Sequence, residues 1–313
     1  VEVTPAGGTR RALVARVDFN ACRLVLDDGR ELEATVRGRV MGRAKSLGNA
    51  VVVGDEVDVD LATVQPAIES VHPRRNAFSR RATGDRPVEQ VVASNLDQVV
   101  LVASLDQPPF KAGLADRVLG QAEHAGIPAR LVLNKLDLGT RDAGQAILDA
   151  YARAGHPGHL TCARSGEGID RLRHALRGRR SLFVGHSGVG KSSILNALAP
   201  GLALESADVN LKTGKGRHTT TAAWLLRPEP DLELIDTPGV RSFAPWGISA
   251  RDLEQAYPEF RRFLGLCRFS DCRHAGEPGC ALRAAVEAGE VATRRYESFL
   301  RLREELEAEE PAR

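Results

Sequence analysis

The sequence predicts a multidomain chain with an N-terminal all-β barrel of the OB-fold type over residues 1–76, a central α/β P-loop domain over 77–245, and a C-terminal α-helical, zinc-binding segment over 246–313. Three observations predict it. Short runs of alternating apolar and polar residues fill the first 75 or so positions. From Gln98 strand and helix patterns alternate and deliver the chain to a glycine-rich loop at Gly185. Three cysteines and a histidine crowd between Cys267 and Cys280. A length of 313 residues suits about two domains and a small appendage.

Composition excludes more than it identifies. A formal charge of +2 with 4% aromatic residues gives no whole-chain nucleic-acid signal, so any basic face has to be local. No segment approaches the roughly 20 apolar residues of a membrane span, so no membrane partner is expected. The opening residues lack the basic, apolar, small-residue order of a signal peptide, which makes a cytoplasmic location the expectation, and a monomer is expected.

In the barrel, Ala12-Leu13-Val14-Ala15-Arg16-Val17, Arg23-Leu24-Val25-Leu26 and Val51-Val52-Val53-Gly54-Asp55-Glu56-Val57-Asp58-Val59 read as strands, and Asp27-Asp28-Gly29-Arg30 as a hairpin turn. In the centre, Val99-Val100-Leu101-Val102, Ala129-Arg130-Leu131-Val132-Leu133 and Ser181-Leu182-Phe183-Val184 are strands, and helices are expected over 115–125, 143–154 and 169–176. Residues 251–263 read as helical, as does a tail from Ala281 to about Glu309.

Gly185-His186-Ser187-Gly188-Val189-Gly190-Lys191-Ser192 fits the phosphate loop at every defined position. It follows an apolar strand and precedes the helical Ser193-Ile194-Leu195-Asn196. Glycines let successive N–H groups turn toward phosphates, and the helix N-terminus adds positive potential. Lys191 reaches the β- and γ-phosphates, and the Ser192 hydroxyl ligates Mg2+.

The partner motifs come in an unusual order. Asn134-Lys135-Leu136-Asp137 precedes the phosphate loop, and Asp236-Thr237-Pro238-Gly239 follows it, as in a circularly permuted GTPase. A carboxylate at Asp137 accepts from guanine N1 and N2, a donor pair adenine lacks, so GTP and GDP are the expected nucleotides. Cys162-Ala163-Arg164 resembles the small-residue loop whose backbone meets guanine O6. Asp236 emerges at a strand end, placed to hold Mg2+ through water, and the Gly239 N–H to meet the γ-phosphate. Between them, Gly214-Lys215-Gly216-Arg217-His218-Thr219-Thr220-Thr221 lies where a switch loop belongs, with Thr220 chosen for Mg2+. Val240 stands where many GTPases place the glutamine that orients attacking water. Valine cannot do so, and His218 is the candidate replacement.

Cys267, Cys272, His274 and Cys280 offer three thiolates and an imidazole within fourteen positions, which suits one tetrahedral zinc. With no fifth ligand and no carboxylate pairing nearby, the site reads as structural. Arg74, Arg75, Arg80, Arg81 and Arg86 crowd the barrel junction, and Arg261, Arg262, Arg268 and Arg273 surround the cysteines. Two local basic faces are expected, suited to phosphate backbones of folded RNA.

Taken together these residues resemble the RsgA (YjeQ/YloQ) family of small-subunit-dependent GTPases over nearly the whole chain. The resemblance includes Val53-Gly54-Asp55, Pro73-Arg74-Arg75-Asn76, the stretch 95–98, the permuted motifs, the 216–221 switch, and the Cys-Cys-His-Cys finger followed by Arg295-Tyr296. It implies an OB-fold N-terminus, binding to the small ribosomal subunit and its rRNA late in assembly, weak hydrolysis stimulated by that subunit, and a switch histidine in place of the glutamine. Cys162 departs from the serine more usual there. Two other readings stay open from the residues alone. One is a nucleotide-gated RNA-binding module with negligible turnover, kept alive by Val240. The other is an ATP-dependent kinase, disfavoured by Asp137. The motif order also has a mechanical implication: the phosphate-sensing half leads within about thirty residues to the zinc segment, while the base-reading half adjoins the barrel.

Overall fold

Alternation along the first seventy residues closes a barrel. The computed structural model describes residues 8–19, 21–41, 49–82, 88–201, 223–240 and 242–309. Strands β1 (Thr9–Val17), β2 (Cys22–Leu26), β3 (Glu31–Val36), β4 (Glu56–Asp60) and β5 (Ala67–Val71) pair in the order β1-β2-β3-β5-β4, and β4 returns to β1. This five-strand order, with the short helix α1 (Gly38–Met41) between β3 and β4, is that of an OB fold. Val14, Leu24, Val57, Val59 and Ile68 fill its interior. The predicted turn is present, with Gly29 at φ 83° where a side chain is disfavoured. Of the predicted run 51–59 only the second half is strand; Val51 to Asp55 form an irregular approach.

That approach is one half of a knot joining barrel to centre. Asp55, fully buried, accepts from Val52 N, from Ser94 Oγ at 2.6 Å and twice from Arg74. Asn95 accepts from Arg75 N and donates to Gly54 O, while Asn76 bonds the Leu96 backbone in both directions. Gly54 lies at φ 92°, and a Cβ there would sit 2.2 Å from Ser94 O. Glycine is required. A hairpin of β6 (Ala77–Arg81) and β7 (Glu89–Ser94) leads from the knot into the central sheet.

The central sheet has the order β10-β9-β8-β11-β13-β12. Its parallel members are β8 (Gln98–Ser104), β9 (Ala129–Asn134), β10 (Gly158–Leu160), β11 (Arg179–Gly185) and β13 (Leu232–Asp236), and β12 (Trp224–Glu229) is antiparallel to β13. Helices α2 (Ala112–His124), α3 (Arg141–Arg153), α4 (Ile169–Leu176) and α5 (Lys191–Leu198) cover its faces. Strands β8, β9 and β11 read as near-continuous apolar runs because both of their faces are covered. At its far edge β12 pairs with β1, Arg16 opposite Trp224, so barrel and sheet are one hydrogen-bonded surface.

The C-terminal part differs from expectation in two places. Residues 251–263 form two short 3-10 helices, Leu253–Ala256 and Pro258–Phe263, rather than one helix. Pro258 has no N–H to continue the first and opens the second. The tail is likewise divided into α6 (Ala281–Glu287) and α7 (Thr293–Glu309), with Gly289 at φ 74° between them.

This part docks on α2 and α3 through a buried cation. Arg295 on α7 is bound by Asp116 of α2 and by Glu259, and its guanidinium lies over the rings of Tyr151 and Tyr257 at 5.0 and 4.6 Å. Tyr151 OH donates to the same Asp116 oxygen that Arg295 binds. Burial disfavours the cation, but the two carboxylates outweigh it and hold the Arg295 pKa well above its ordinary value. Replacing Arg295 by methionine strands two buried carboxylates, and a loss of about 3–5 kcal/mol in unfolding free energy is expected. An unchanged urea midpoint would show the cluster to be idle. Beside it, burial and then the charge of Arg295 depress His156 to about 4. The folded protein thus keeps this imidazole neutral where the unfolded chain, with a pKa near 6.5, takes up a proton. Stability should therefore fall as pH drops from about 6.5 to 4. The drop should be shallower in a His156→Gln variant, measured by thermal melts across that range.

Candidate nucleotide site and metal centre

Parallel strands bring their C-terminal ends to one edge, and every described nucleotide motif stands there. Asn134 ends β9, Cys162 follows β10, the phosphate loop follows β11 and Asp236 ends β13. A crevice at the carboxyl ends of such strands is where α/β sheets bind ligands. The motifs that the chain order separates lie side by side at these strand ends.

The phosphate loop folds as its glycines require. Gly188 and Gly190 take φ of 83° and 87°, and a Cβ on Gly185 would meet Val102 O at 2.6 Å. Val189 is buried beneath the loop, and Ser192 and Ser193 lie half-buried in the first turn of α5, whose N-cap is Gly190. The half-buried His186 ring bonds Ser187 O through Nδ1 and meets Lys111 Nζ at 3.3 Å. Lys191, buried, pairs with the Asp236 carboxylate. Gly239 lies against the loop, where a Cβ would be 3.2 Å from Ser187 Cα.

Asn134 is buried and holds loops together. Its Nδ2 donates to Val189 O at 3.0 Å, and its Oδ1 accepts from Ala163 N at 3.0 Å. Lys135, in the left-handed region at φ 61°, reaches Gln107 O in the loop after β8. Asp137 accepts from the Cys162 thiol at 3.3 Å, which fixes the carboxylate next to Ala163. Val240 donates its N–H to Gly185 O and turns its side chain into the apolar core, so no polar group extends from that position. The switch residues 214–221, including His218 and Thr220, lie outside the described residues.

Cys267, Cys272, His274 and Cys280 converge, with ligand atoms all within 4.8 Å of one another. The three sulfurs stand 3.5, 3.6 and 3.4 Å from His274 Nδ1. Zinc–sulfur bonds of about 2.3 Å and a zinc–nitrogen bond of about 2.0–2.1 Å at tetrahedral angles place sulfur and nitrogen about 3.5 Å apart, so the donor set fits zinc. Burial pushes the Cys272 thiol up to about 12, with Cys267 and Cys280 adding to it against a hydrogen bond from the His274 backbone.

The expectation that no carboxylate pairs with this cluster is corrected. Glu254, twenty positions before the histidine and brought in by the first 3-10 helix, stands 3.0 Å from His274 Nε2. That bond fixes the tautomer and aims Nδ1 at the thiols. Against the upward push of burial, Glu277 accepts from the N–H groups of Arg273, Ala275 and Gly276, which hold its carboxyl at about 2. Tyr296 OH donates to His274 O. Sequence reasoning missed Glu254 because the pairing is distant in the chain. Tyr296 was visible only as part of a motif.

The basic faces are also corrected. Arg74 is bound by Asp55, Arg75 by Asp97 and Arg81 by Glu309. Arg261, Arg262 and Arg273 are paired with Glu123, Glu290 and Glu307. Acidic partners far away in sequence neutralise most of what looked like two cationic patches. Arg86 lies outside the described residues.

Comparison with known proteins agrees with this arrangement. A family model described as RsgA GTPase matches residues 71–246. The chain is 43% identical over 284 residues to the small ribosomal subunit biogenesis GTPase RsgA of Gemmatimonas aurantiaca, covering 90% of this chain and 92% of that one. Its identity to the protein of that name from Shewanella oneidensis is 40%, covering 84% and 77% of the two chains. Among solved structures, YjeQ from Thermotoga maritima superposes with a TM-score of 0.75 at 31% identity, covering 96% of this chain and 99% of that one. YloQ, described as a circularly permuted GTPase, shares the fold with a TM-score of 0.72 at 24% identity, with both chains fully covered. With the permuted nucleotide edge, the barrel before it and the thiolate cluster after it matched across nearly its whole length, the chain belongs to the RsgA GTPase family.

Proposed function

We propose that this GTPase acts in the late maturation of the small ribosomal subunit, binding that subunit and its rRNA and hydrolysing GTP to GDP and phosphate when docked. The observation that carries the reading is the gathering of Asn134, Asp137, Cys162, Ala163, the 185–192 loop and Asp236 on one sheet edge, in a chain 43% identical to a protein named for that role. The chain is read as three parts that divide near 76 and 245, with the nucleotide edge in the middle one.

Each residue has a task in this reading. Asp137, held by Cys162, reads guanine, and the Ala163 backbone faces its O6. The turned N–H groups of residues 186–191 cradle the phosphates. Lys191 exchanges the Asp236 carboxylate for phosphate oxygens on loading. Magnesium, when bound, neutralises charge on the phosphates; Ser192, Thr220 and, through water, Asp236 are the residues that would hold it. Hydrolysis then needs a group to orient water. The buried Val240 supplies none, and His218 is assigned that role, brought into place by the docked subunit.

A module that is gated by nucleotide but turns over negligibly is the second reading, favoured by Val240 alone. Multiple-turnover hydrolysis with and without purified small subunits separates the two. Stimulation of at least tenfold is expected; an unchanged rate would favour the module. Lys191→Ala should lower turnover by two orders of magnitude or more, and full turnover in that variant would mean the loop binds no phosphate.

One structural zinc is assigned to Cys267, Cys272, His274 and Cys280. Protein as purified should carry about one zinc per chain by elemental analysis, and Cys272→Ser should carry much less. Glu254→Gln should keep the metal but weaken its affinity about 10- to 100-fold in competition with a chromophoric chelator. Purified protein devoid of zinc would overturn the assignment.

A further inference from the structure

If the expected basic faces are mostly neutralised, the free cations must stand elsewhere. Among the described residues one group of them converges. Arg130 on β9 donates through Nη1 to His159 Nε2 on the edge strand β10 at 2.7 Å, and through Nε to Gln98 Oε1 at 3.3 Å. The same Gln98 donates to Ser181 Oγ on β11 and to Ala175 O on α4, so Arg179, two positions before Ser181, and Arg171, one turn before Ala175, stand beside Arg130 and His159 and act on them. No carboxylate contributes to the field at either residue.

Their protonation follows from this. Burial, then Arg130 and Arg171, depress His159 to about 4, so the ring is neutral and accepts the Arg130 hydrogen bond. Burial, and then repulsion by Arg179, lower Arg130 without removing its charge. Three guanidiniums thus share one margin of the central sheet, on the side covered by α4. Arg171 and Arg179 are exposed, and Arg130 and His159 are half-buried behind them. Like charges on one margin are unfavourable on their own, and guanidiniums suit phosphate oxygens in paired, planar contacts.

We propose that this margin, lined by Arg130, Arg171, Arg179 and the neutral His159, is a contact surface for the phosphate backbone of structured RNA. It lies on the GTPase body, next to the barrel junction that Arg180 contacts, and it rests on the proposed docking to the small subunit. The absence of exposed aromatic side chains from the group points to backbone contact rather than base stacking.

The test uses the full chain and purified small subunits, with a non-hydrolysable GTP analogue, over a series of KCl concentrations. The variants are the exposed pair Arg171→Gln with Arg179→Gln, and the same pair changed to lysine. The glutamine pair should bind at least tenfold more weakly at low salt. Its slope of log affinity against log salt should be shallower by about two, one for each phosphate that is no longer neutralised. Melting temperature and subunit-free hydrolysis should match the parent, and the lysine pair should recover most of the slope. A glutamine pair with the parental affinity and slope would overturn the inference and leave the cations as guards of an edge strand. If the parent chain bound no subunits, both this inference and the proposed function would fall.

Discussion

A single buried carboxamide makes one site out of loops that the chain order separates. Asn134 ends β9, fifty-five positions before Val189 and twenty-nine before Ala163, yet it bonds both at 3.0 Å. The fit leaves no slack: a Cβ on Gly190 would fall 2.2 Å from Asn134 Nδ2. Position 190 must be glycine both for its φ of 87° and for the room Asn134 takes. The loop after β9, the loop after β10 and the phosphate loop are therefore tied to one another through this one side chain. Permutation leaves the site intact, because what holds it is lateral contact between strand ends rather than chain continuity.

Permutation does change what the site is attached to, and packing reverses the expectation drawn from connectivity. By chain, the phosphate half leads to the zinc segment and the base half follows the barrel. In space, the zinc segment rests on α2 and α3 of the base half through Arg295, Asp116 and Tyr151. The phosphate half touches the barrel where β12 pairs with β1. Each appended part is thus covalently tied to one half and packed on the other. The span 242–252 crosses the seam, and Trp246 N bonds Gln121 Oε1 on α2 at 2.7 Å. The segment after Asp236 thus runs to a far end that a buried ion cluster pins on the other half.

Local chemistry was legible in the sequence, and long-range neutralisation was not. Phosphate loop, base motif, strand alternation and the four metal ligands all depend on residues close in the chain, and their periods and spacings point to the structure that forms. The helix expected over 251–263 failed for a local reason that was also visible, Pro258 in mid-run. The basic faces failed for another reason. Arg81 finds Glu309 and Arg261 finds Glu123 only because the C-terminal part folds back on the centre. Glu254 escaped notice in the same way, since nothing near His274 in the chain signals a carboxylate on its outer nitrogen. A linear charge count sees clusters of like sign; only the fold shows which of them are already neutralised.

The same distinction bears on the catalytic question. Val240 reads from sequence as a missing glutamine, a negative statement. In the structure its N–H is bonded to Gly185 O, its backbone bridges His186 in parallel, and its side chain is in the core that also holds Phe243 and Ile235. This position braces the phosphate loop from behind. A glutamine there would have to leave a packed apolar site to reach water. The described residues thus form a preformed edge from which no polar side chain extends at position 240.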